Sequence, residues 1–593
     1  MFLRTVKAAG AKGVQHEYVR LVESYRDNGK NKQRLVCSLG RKDLLAAHLD
    51  SLIRLLRGEP QRTSASVRAG EVEATGAWDW GPMLVARRQW CELGLEAIVD
   101  RLGGRGRADG PALSERALVL ITNRLCAPSS EHGLGRWLET DFVCDRQGRR
   151  WLPEWRDEQE RRKSRSPRVR VEFRQLKQWY RTLDQLHERK ERIERELYLR
   201  LRDLFSLKVD LVLYDLTSTY FEGRGPPTLG AHGHSRDGKP RNRQVLVGLV
   251  LVDGWPITHH VFRGNWRDSK TVPQVLEDLE KRFGLRRVVF VGDRGMVTSD
   301  NLTLLRSHKQ GYVVGLNRRR REDVYRYIER ATGPWIECPV GISASEKAEP
   351  PKTRVQEVAS DEPSVRVFVA HSEERLAYEQ AQRLKAMERV RAQLERLERR
   401  VHKGKLKAPE KIGAAAARIL DRFHGYRYYN WEYKDGRFRF FEHPVNLRRE
   451  QAYEGRYVIQ TEEKSLTAVE AVTIYKGLSE VERAFANLKD VIEMRPVFHQ
   501  RDDRVEAHIF VATLAFLLHR AIEKKLKAAG LDLSATEALQ MLRSVRVVDL
   551  KLGDGRTKRC VTRGSNRAAR ILAALGISEL DPPSPPRGYP TVA

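Results

Sequence analysis

The stretch from Val209 to Asp215 reads VDLVLYD, an almost unbroken run of apolar and β-branched residues that ends in an acid. Runs of this kind are typical of central strands that are covered on both faces of a sheet. Further strand patterns and one helical pattern follow, and Asp253-Gly254 between two of the strands is a turn signal. We predict a mixed α/β sheet with later strands at Val245 to Val252, Ile257 to Phe262, Val288 to Val291 and Tyr312 to Leu316, and a helix at Thr271 to Phe283.

Acidic residues stand at the ends of two of these strands, at Asp215 and Asp293. Hard divalent cations prefer carboxylate oxygens that rigid elements hold in place, and strand ends supply that rigidity. A single Asp after a strand is more often a turn residue or a helix cap, and position alone leaves that alternative open. Asp210, Asp253 and Asp268 are further candidates. We prefer Asp215 because Asp210 lies within the strand and Asp253 lies in a turn.

The charge balance predicts a polyanionic partner. Lys and Arg total 109 while Asp and Glu total 79, which gives a formal net charge of +30 and an isoelectric point near 10.0. A field of this size attracts phosphate backbones, although it specifies no base sequence. Solubility is the alternative explanation. Dense basic runs such as Arg161 to Arg170 and Arg318 to Arg321 argue against it, because solvated surfaces usually mix both signs.

The six cysteines are scattered and form no Cys-x-x-Cys pair, which argues against a structural zinc site and a disulfide framework. His232 and His234 lie in a Gly-rich loop without cysteine partners, so we expect no zinc there. The first residues lack the apolar core of a signal peptide, and the longest apolar stretch, Ile509 to Leu518, is too short to span a bilayer. We expect a soluble cytoplasmic protein with no membrane partner.

Glu482 is the candidate third acid because of its place on a predicted helix from Thr467 to about Asp490. Tyr475, Glu482 and Lys489 are spaced seven and seven, so on an α-helix they fall within about 20° of one line. Glu482 then borders the apolar stripe, where a helix packed on a sheet could point it at the two aspartates. An ordinary solvent-facing Glu fits the geometry equally well. The apolar residues of the adjacent arc are Leu478, Val481, Phe485 and Leu488.

Three blocks of sequence, in this order, resemble the DDE transposases of bacterial insertion sequences. YDLTSTYFEG around Asp215 and VGDRGM around Asp293 are similar to the first two acidic blocks of that family. YKGLSEVERAFANLK around Glu482, followed by RPVFH and by Ala507-His508, is similar to the third. The resemblance covers roughly Val209 to Ile522 and includes an insertion between the second Asp and the Glu.

The branch of the family that the chain resembles carries a tyrosine, arginine, glutamate and lysine signature. That frame reads Tyr475, Leu478, Glu482 and Lys489 here, so the signature arginine is absent. The resemblance implies that the tyrosine and the lysine contact DNA phosphates near the cleaved end. Either Lys476 or Arg483 replaces the phosphate contact that the arginine makes in relatives, or that contact is absent here.

Several other residues are not assigned a role in binding metal or DNA. His499 and His508 are expected to position the active site or to pack rather than to bind metal. Relatives hold a flipped base with a tryptophan of the insertion, but no motif aligns Trp335 or Trp431 with it, so neither is assigned.

The resemblance implies a DNA transposase that cleaves the ends of its own insertion sequence and joins them to target DNA. Asp215, Asp293 and Glu482 would hold two Mg²⁺ or Mn²⁺ ions. The partners implied are double-stranded DNA, as inverted repeats and as target, and a second copy of the chain in a homodimer on DNA. The location implied is the bacterial nucleoid. A ribonuclease-H-like nuclease or resolvase and a catalytically inactive DNA-binding derivative are the alternatives.

The expected fold class is α/β and multidomain, with a ribonuclease-H-like mixed sheet flanked by helices. We expect a DNA-binding region at 1–205, with an N-terminal β-hairpin and then helices; the hairpin could equally be structural. The catalytic core is placed at 206–317 and 462–530, interrupted by an α+β insertion at 318–461 with a long charged helix. A C-terminal helical region with a disordered Pro-rich tail is placed at 531–593. The hairpin's pattern is Tyr18 to Tyr25, Asn28-Gly29 and Arg34 to Leu39, and the charged helix's apolar positions are Leu384, Met387, Val390, Leu394, Leu397 and Val401.

Overall fold

The computed structural model of the 593-residue chain describes most of its length. The described residues are 2–9, 15–27, 30–42, 72–104, 111–153, 175–205, 211–285, 289–292, 294–296, 298–316, 322–338, 352–552 and 557–583.

The N-terminal residues form an antiparallel sheet of three strands, β1 (Phe2–Ala9), β2 (Gln15–Asp27) and β3 (Lys30–Arg41). The two strands of the predicted hairpin are therefore confirmed, and β1 adds a third. The predicted turn residues Asn28 and Gly29 lie outside the described residues.

A fourth strand and five helices follow, so helices are present after the N-terminal strands, as predicted. At the start of the helix that begins at Leu113, the Glu115 carboxylate accepts a hydrogen bond from Ala112 N at 2.8 Å. The elements are β4 (Val72–Asp79), α1 (Gly81–Glu92), α2 (Leu95–Gly103), α3 (Leu113–Cys126), α4 (Leu134–Thr140) and α5 (Leu176–Phe205).

The five predicted strands and the helix among them are confirmed. The predicted turn at Asp253-Gly254 is present, and both of its residues have positive φ (49° and 71°), as a type I′ hairpin turn requires. The elements are β5 (Leu211–Tyr220), β6 (Gln244–Val252), β7 (Trp255–Arg263), α6 (Val272–Phe283), β8 (Val289–Gly292), α7 (Ser299–Ser307) and β9 (Gly311–Gly315).

The segment predicted as an insertion contributes to the central sheet as well as having its own core. Four of its strands extend the sheet beyond β9, because β9 offers an open edge whose backbone groups β15 pairs. The elements are α8 (Glu322–Arg330), β10 (Ile336–Cys338), β11 (Thr353–Val358), β12 (Arg366–Ser372), α9 (Glu373–His402), α10 (Pro409–Arg422), β13 (Tyr429–Lys434), β14 (Arg437–Glu442), α11 (Pro444–Tyr453) and β15 (Arg456–Thr461).

The C-terminal part contains both helices and strands, whereas the sequence predicted helices. Strand β16 pairs with β17 on one side and with β4 on the other, so two distant parts of the chain share one small sheet. The proline-rich end beyond residue 583 lies outside the described residues. The elements are α12 (Ala468–Lys476), α13 (Leu478–Ala486), α14 (Asp502–Ala528), α15 (Ala535–Leu542), β16 (Arg546–Leu552), β17 (Thr557–Val561) and α16 (Asn566–Ala574).

The central sheet has nine strands in the order β10-β11-β12-β15-β9-β8-β5-β6-β7. The pairs of β5 with β8 and of β8 with β9 are parallel, and the other pairs are antiparallel. The molecule is therefore a mixed α/β protein in which helices flank a large mixed sheet. Hydrophobic cores lie on both faces of the sheet, one containing Leu213, Leu249 and Val291, the other Tyr214 and Phe290.

Helix α14 runs through the larger core. It is the one helix among the described residues that is long and apolar enough to cross a membrane by length and composition, and 89% of its most apolar window is buried inside the protein. A buried core helix passes the same test.

A buried ion cluster attaches α5 to the sheet. The Glu194 carboxylate lies 2.5 Å from the Arg282 guanidinium and 3.3 Å from Lys190 Nζ, and its side chain is 3% exposed. Burial alone would raise the pKa of Glu194, but Lys190, His259 and Arg282 together lower it well below its ordinary value. Glu194 therefore pairs with both Lys190 and Arg282, and Asp278 is a second acidic partner of Arg282.

We predict that Glu194→Gln lowers the free energy of unfolding by about 3 kcal/mol, because it removes the acid that pairs with Lys190 and one of the two acids that pair with Arg282. Urea unfolding followed by circular dichroism measures the change. Glu191→Gln, an exposed position on the same helix, is the control and should stay within about 0.5 kcal/mol of the parent. Equal effects of the two substitutions would contradict this account of the cluster.

Candidate active site

Asp215 lies in the middle of β5, opposite Leu249 of β6, so the prediction that the strand ends at Asp215 was wrong. Side chains alternate between the faces of a strand, so Asp215 takes the same face as Leu213, which belongs to the larger core. Asp215 is half-buried, and its Oδ1 accepts a hydrogen bond from Leu216 N at 2.7 Å. The carboxylate is thus fixed on a central strand, on the face that the larger core covers.

Helix α13 brings Glu482 to that face, because it packs against β5. Its apolar residues, Leu478, Val481 and Phe485, are buried in the larger core, as the sequence predicted. At the start of the helix, a Cβ on Gly477 would lie 3.5 Å from Leu213 Cδ2, an ordinary van der Waals distance, so this end of the helix lies close to the strand. Glu482 is exposed on the helix.

The remaining aspartates differ in their positions. Asp293 and Asp210 lie outside the described residues, and β8 ends one residue before Asp293 at Gly292. Asp253 is in the β6–β7 turn, where a turn was predicted. Asp268 forms an ion pair of 2.8 Å with Arg236.

The helix that carries Glu482 is divided into three segments, whereas the sequence predicted one. Helix α12 ends at Lys476, α13 follows, and a π-helical turn occupies Asn487–Val491, with Ile492 N donating to Asn487 O at 2.9 Å. The alignment predicted for Tyr475, Glu482 and Lys489 rests on one ideal α-helix, and the break and the π-turn depart from that geometry.

All four candidate DNA contacts are engaged within the protein, Arg483 by a long hydrogen bond from its Nε to Ser479 O of its own helix, at 3.4 Å. The Tyr475 ring stacks on Tyr457 with centroids 5.8 Å apart, and Lys476 Nζ donates to Thr353 Oγ1 at 2.7 Å. Lys489 Nζ forms an ion pair of 2.8 Å with Asp237. Arg483 is exposed, one residue beyond Glu482.

Two family descriptions match the chain. Residues 212–518, more than half of it, match the family described as "Transposase DDE domain". Residues 3–67 match "IS1634 family transposase, N-terminal domain". The chain belongs to the DDE transposase family. No curated protein matches its sequence.

The predicted DNA transposase function is therefore confirmed, and with it the assignment to an insertion sequence. DNA is the transposase's substrate, and divalent metals serve this family in catalysis. Both predicted strand-borne aspartates and Glu482 fall inside the matched DDE domain by residue number.

The sequence analysis did not identify Asp237 as a functional residue. Asp237 lies in a loop, and its side chain is only 2% exposed. In the transposase, Asp237 pairs with both Lys489 and Arg495, at 2.8 and 2.5 Å. Burial lowers the pKa of Lys489, and Asp237 acts against that shift. Asp237 thus holds the signature lysine. The partnership spans 252 positions, so no local pattern could have indicated it.

A second buried polar cluster connects α3 and the residues that follow it with α14 and the residues that precede α14. Ligand atoms of Glu131, His499 and His508 lie within 4.8 Å of one another, a spacing that could hold a metal ion. They line a pocket of about 320 Å³ together with Arg124 and Tyr180. None of its three residues is one of the predicted acids.

Hydrogen bonds indicate which ring nitrogen of His508 carries the proton. Its Nε2 lies 3.0 Å from Met494 O, and a carbonyl oxygen accepts only, so Nε2 donates. Nδ1 then accepts from Arg124, 3.3 Å away. The ring is thus neutral and both nitrogens are used, so a metal ion at Nδ1 would have to displace the Arg124 guanidinium. Arg124 is the cation of this cluster, which agrees with the expectation that His508 packs rather than binds metal.

Burial lowers the pKa of His508 to about 3, and Arg124 and His499 add to that shift. Burial alone would raise the pKa of Glu131, but His499 and Arg124 lower it below its ordinary value. The cluster therefore contains a neutral His508 beside the Arg124 guanidinium, and Glu131 lies 3.7 Å from His499 Nε2.

This state predicts a pH dependence of stability. His508 takes up a proton near pH 6.5 in the unfolded chain and only near pH 3 in the folded chain. The contribution of neutral His508 to the free energy of unfolding is therefore complete above pH 6.5 and falls as the pH drops toward 3. Between pH 6.5 and 5 the loss from one such histidine approaches about 2 kcal/mol. His508→Gln should reduce the slope of unfolding free energy against pH in urea titrations. His232→Gln, at an exposed histidine, should leave it unchanged; an unchanged slope in both variants would refute the assignment.

Proposed function

We propose that Asp215, Asp293 and Glu482 hold two Mg²⁺ or Mn²⁺ ions with which the transposase cleaves the ends of its insertion sequence and joins them to target DNA. The observation that carries the proposal is that α13, with Glu482, packs on the strand and the sheet face that carry Asp215. Two acids separated by 267 positions in sequence thereby belong to neighbouring elements.

The donor set suits the proposed ions. Asp215 is a carboxylate on a rigid strand, with one oxygen already oriented by the Leu216 amide, and Glu482 is a carboxylate that reaches solvent. Hard cations such as Mg²⁺ prefer such oxygens and keep open positions for water and phosphate. When bound, the ions would activate the attacking hydroxyl and stabilise the leaving oxygen. The chain's part is to keep the carboxylates fixed and to orient the DNA.

The sheet supports a ribonuclease-H-like core and a place for Asp293 in it. Numbered along the chain from β5, the strands β7-β6-β5-β8-β9 have the order 3-2-1-4-5. In the parallel pair of β5 and β8, Leu213 lies opposite Val291. Asp215 and Asp293 each come two residues later in sequence, so an extended register would place them side by side.

Arg483 is the proposed first contact with DNA phosphates, because it is exposed beside Glu482. Tyr475, Lys476 and Lys489 are proposed to contact phosphates after a local change. For Lys489 this change is the exchange of Asp237 for a phosphate, one anion for another. We further propose that the transposase acts as a homodimer on DNA at the bacterial nucleoid.

We predict that Asp215→Asn and Glu482→Gln each reduce Mg²⁺-dependent cleavage of labelled element ends on the order of 10³-fold or more, since each removes an anionic metal ligand. Binding of the same ends, measured by gel shift, should change less than about threefold. Glu480→Gln, on the same helix with its carboxylate beside Gly254, is the matched control and should cleave like the parent.

The products distinguish the proposal from its alternatives. Joined products establish strand transfer, cuts without joining indicate a nuclease, and a shifted but intact band indicates a binding protein. Parental cleavage by Asp215→Asn or Glu482→Gln would refute the assignment of that residue.

A further inference from the structure

Positive charge is concentrated at one end of the helical arm formed by α9 and α10. Residues 373–398 of α9, the shaft, contain six acids and six Lys or Arg and are neutral. Residues 399–411, the arm tip, contain six Lys or Arg and one Glu. Opposite charges are thus interspersed along the shaft and segregated at the tip. The basic residues of the tip are Arg399, Arg400, Lys403, Lys405, Lys407 and Lys411, and all six are exposed.

The arm has a core that supports the tip. Met387, Val390, Leu394, Leu397 and Val401 of α9 pack with Ile412, Ala416 and Leu420 of α10 and with the β13–β14 hairpin. Five of the six apolar positions predicted for this helix are buried, and Leu384 is exposed. Helix α9 has 30 residues and starts directly after β12 of the central sheet, so its end lies about 45 Å along the axis from that sheet.

The turn at the tip is rigid. Gly404 has φ +64° and its N donates to Val401 O, while Lys405 N donates to Arg400 O, at 2.9 and 3.0 Å. These two bonds form a Schellman motif, which ends α9 with a glycine in the left-handed conformation. Lys403 and Lys405 flank that glycine. The lysines are thus presented on an ordered turn, so less conformational entropy is lost when a ligand binds them.

Helix capping does not account for this charge. Basic residues in the last turn of α9, such as Arg399 and Arg400, are favourable at the negative end of its dipole. Lys407 and Lys411, however, lie at the start of α10, which begins at Pro409, where the dipole disfavours cations. Among the described residues, none of the six basic side chains of the tip forms an ion pair. Charge placed against the helix dipole and without a counter-ion points to an external anion.

We propose that the arm tip binds the phosphate backbone of duplex DNA, without reading its sequence, at a distance from the cleaved bond. The proposal rests on the transposase function, which makes DNA the polyanion that the protein meets. Lysines on a turn act as point charges toward phosphates and carry no base specificity. Because β12 is four strands from β5 in the sheet and the tip is a further helix length away, the contact adds affinity and leaves the chemical step unchanged.

The test neutralises the three turn lysines together in the full chain, as Lys403→Gln, Lys405→Gln and Lys407→Gln. Affinity for a duplex carrying the element end is measured by fluorescence anisotropy between about 50 and 300 mM salt. Each phosphate contact contributes about 0.9 to the slope of log affinity against log salt, so the slope should become shallower by up to about 2.7. The single-turnover cleavage rate at saturating protein should stay within twofold of the parent.

The matched control removes the same charge elsewhere, as Lys281→Gln, Lys309→Gln and Lys527→Gln, at three exposed lysines on separate elements. A salt slope for the tip variant equal to that of the control variant would overturn the proposal. Tighter binding of the parent protein to phosphatidylserine vesicles than to the duplex, at the same salt concentration, would also overturn the proposal. Failure of the parent protein to bind duplex DNA would contradict the transposase function on which the proposal rests. An unchanged salt slope in the tip variant, together with loss of cleavage in Asp215→Asn, would refute only the binding of DNA by the arm tip.

Discussion

The register of β5 between β6 and β8 is the constraint on which the candidate active site depends. Hydrogen bonding on both sides fixes which face each β5 side chain takes, and a slip of one residue would turn Asp215 away from α13 toward the opposite core. Both faces are buried, so such a slip would also exchange Leu213 with Tyr214, whose hydroxyl donates to Thr271 Oγ1 at 2.9 Å. Packing on the two faces therefore holds the position of the carboxylate.

A strongly basic chain also has cations below its surface, and largely buried acids lie beside them. Glu194 pairs with Lys190 and Arg282, and Asp237 pairs with Lys489 and Arg495. The charge of Glu131 acts on buried Arg124, and Arg282 and Arg495 each have a second acidic partner. In low-dielectric surroundings an unpaired charge is costly, so each acid is fixed by the cations around it. Among the described residues, the exposed basic side chains of the arm tip have no acidic partner of this kind. The paired cations below the surface therefore contribute to folding, whereas those of the tip are available to DNA.

Much of the core was predictable from local sequence. The five strands after residue 209, the helix between them and the charged helix of the insertion follow from apolar runs, period and turn residues. Strand β5 differs from its prediction, because it continues past Asp215 to Tyr220. Asp215 was recognisable because it stands in a buried strand, and Glu482 because an amphipathic helix carries it. The match to the DDE domain agrees with the family that these residues resemble. The roles of Asp215, Asp293 and Glu482 stay predictions.

The sequence by itself determined the five core strands β5 to β9, the helix α6 among them, the long charged helix α9 and the segregation of charge along it. These are local properties, set by side-chain period and composition within a few turns. Only the tertiary structure decided that four strands of the insertion join the central sheet, that β4 pairs with β16, and that the helix carrying Glu482 is broken at Gly477 and widened after Ala486. It also brought Arg124 to His508 across 384 positions. The physical reason is that such pairings depend on which strand edges and buried charges stay unsatisfied once the elements have packed, and no local pattern records that.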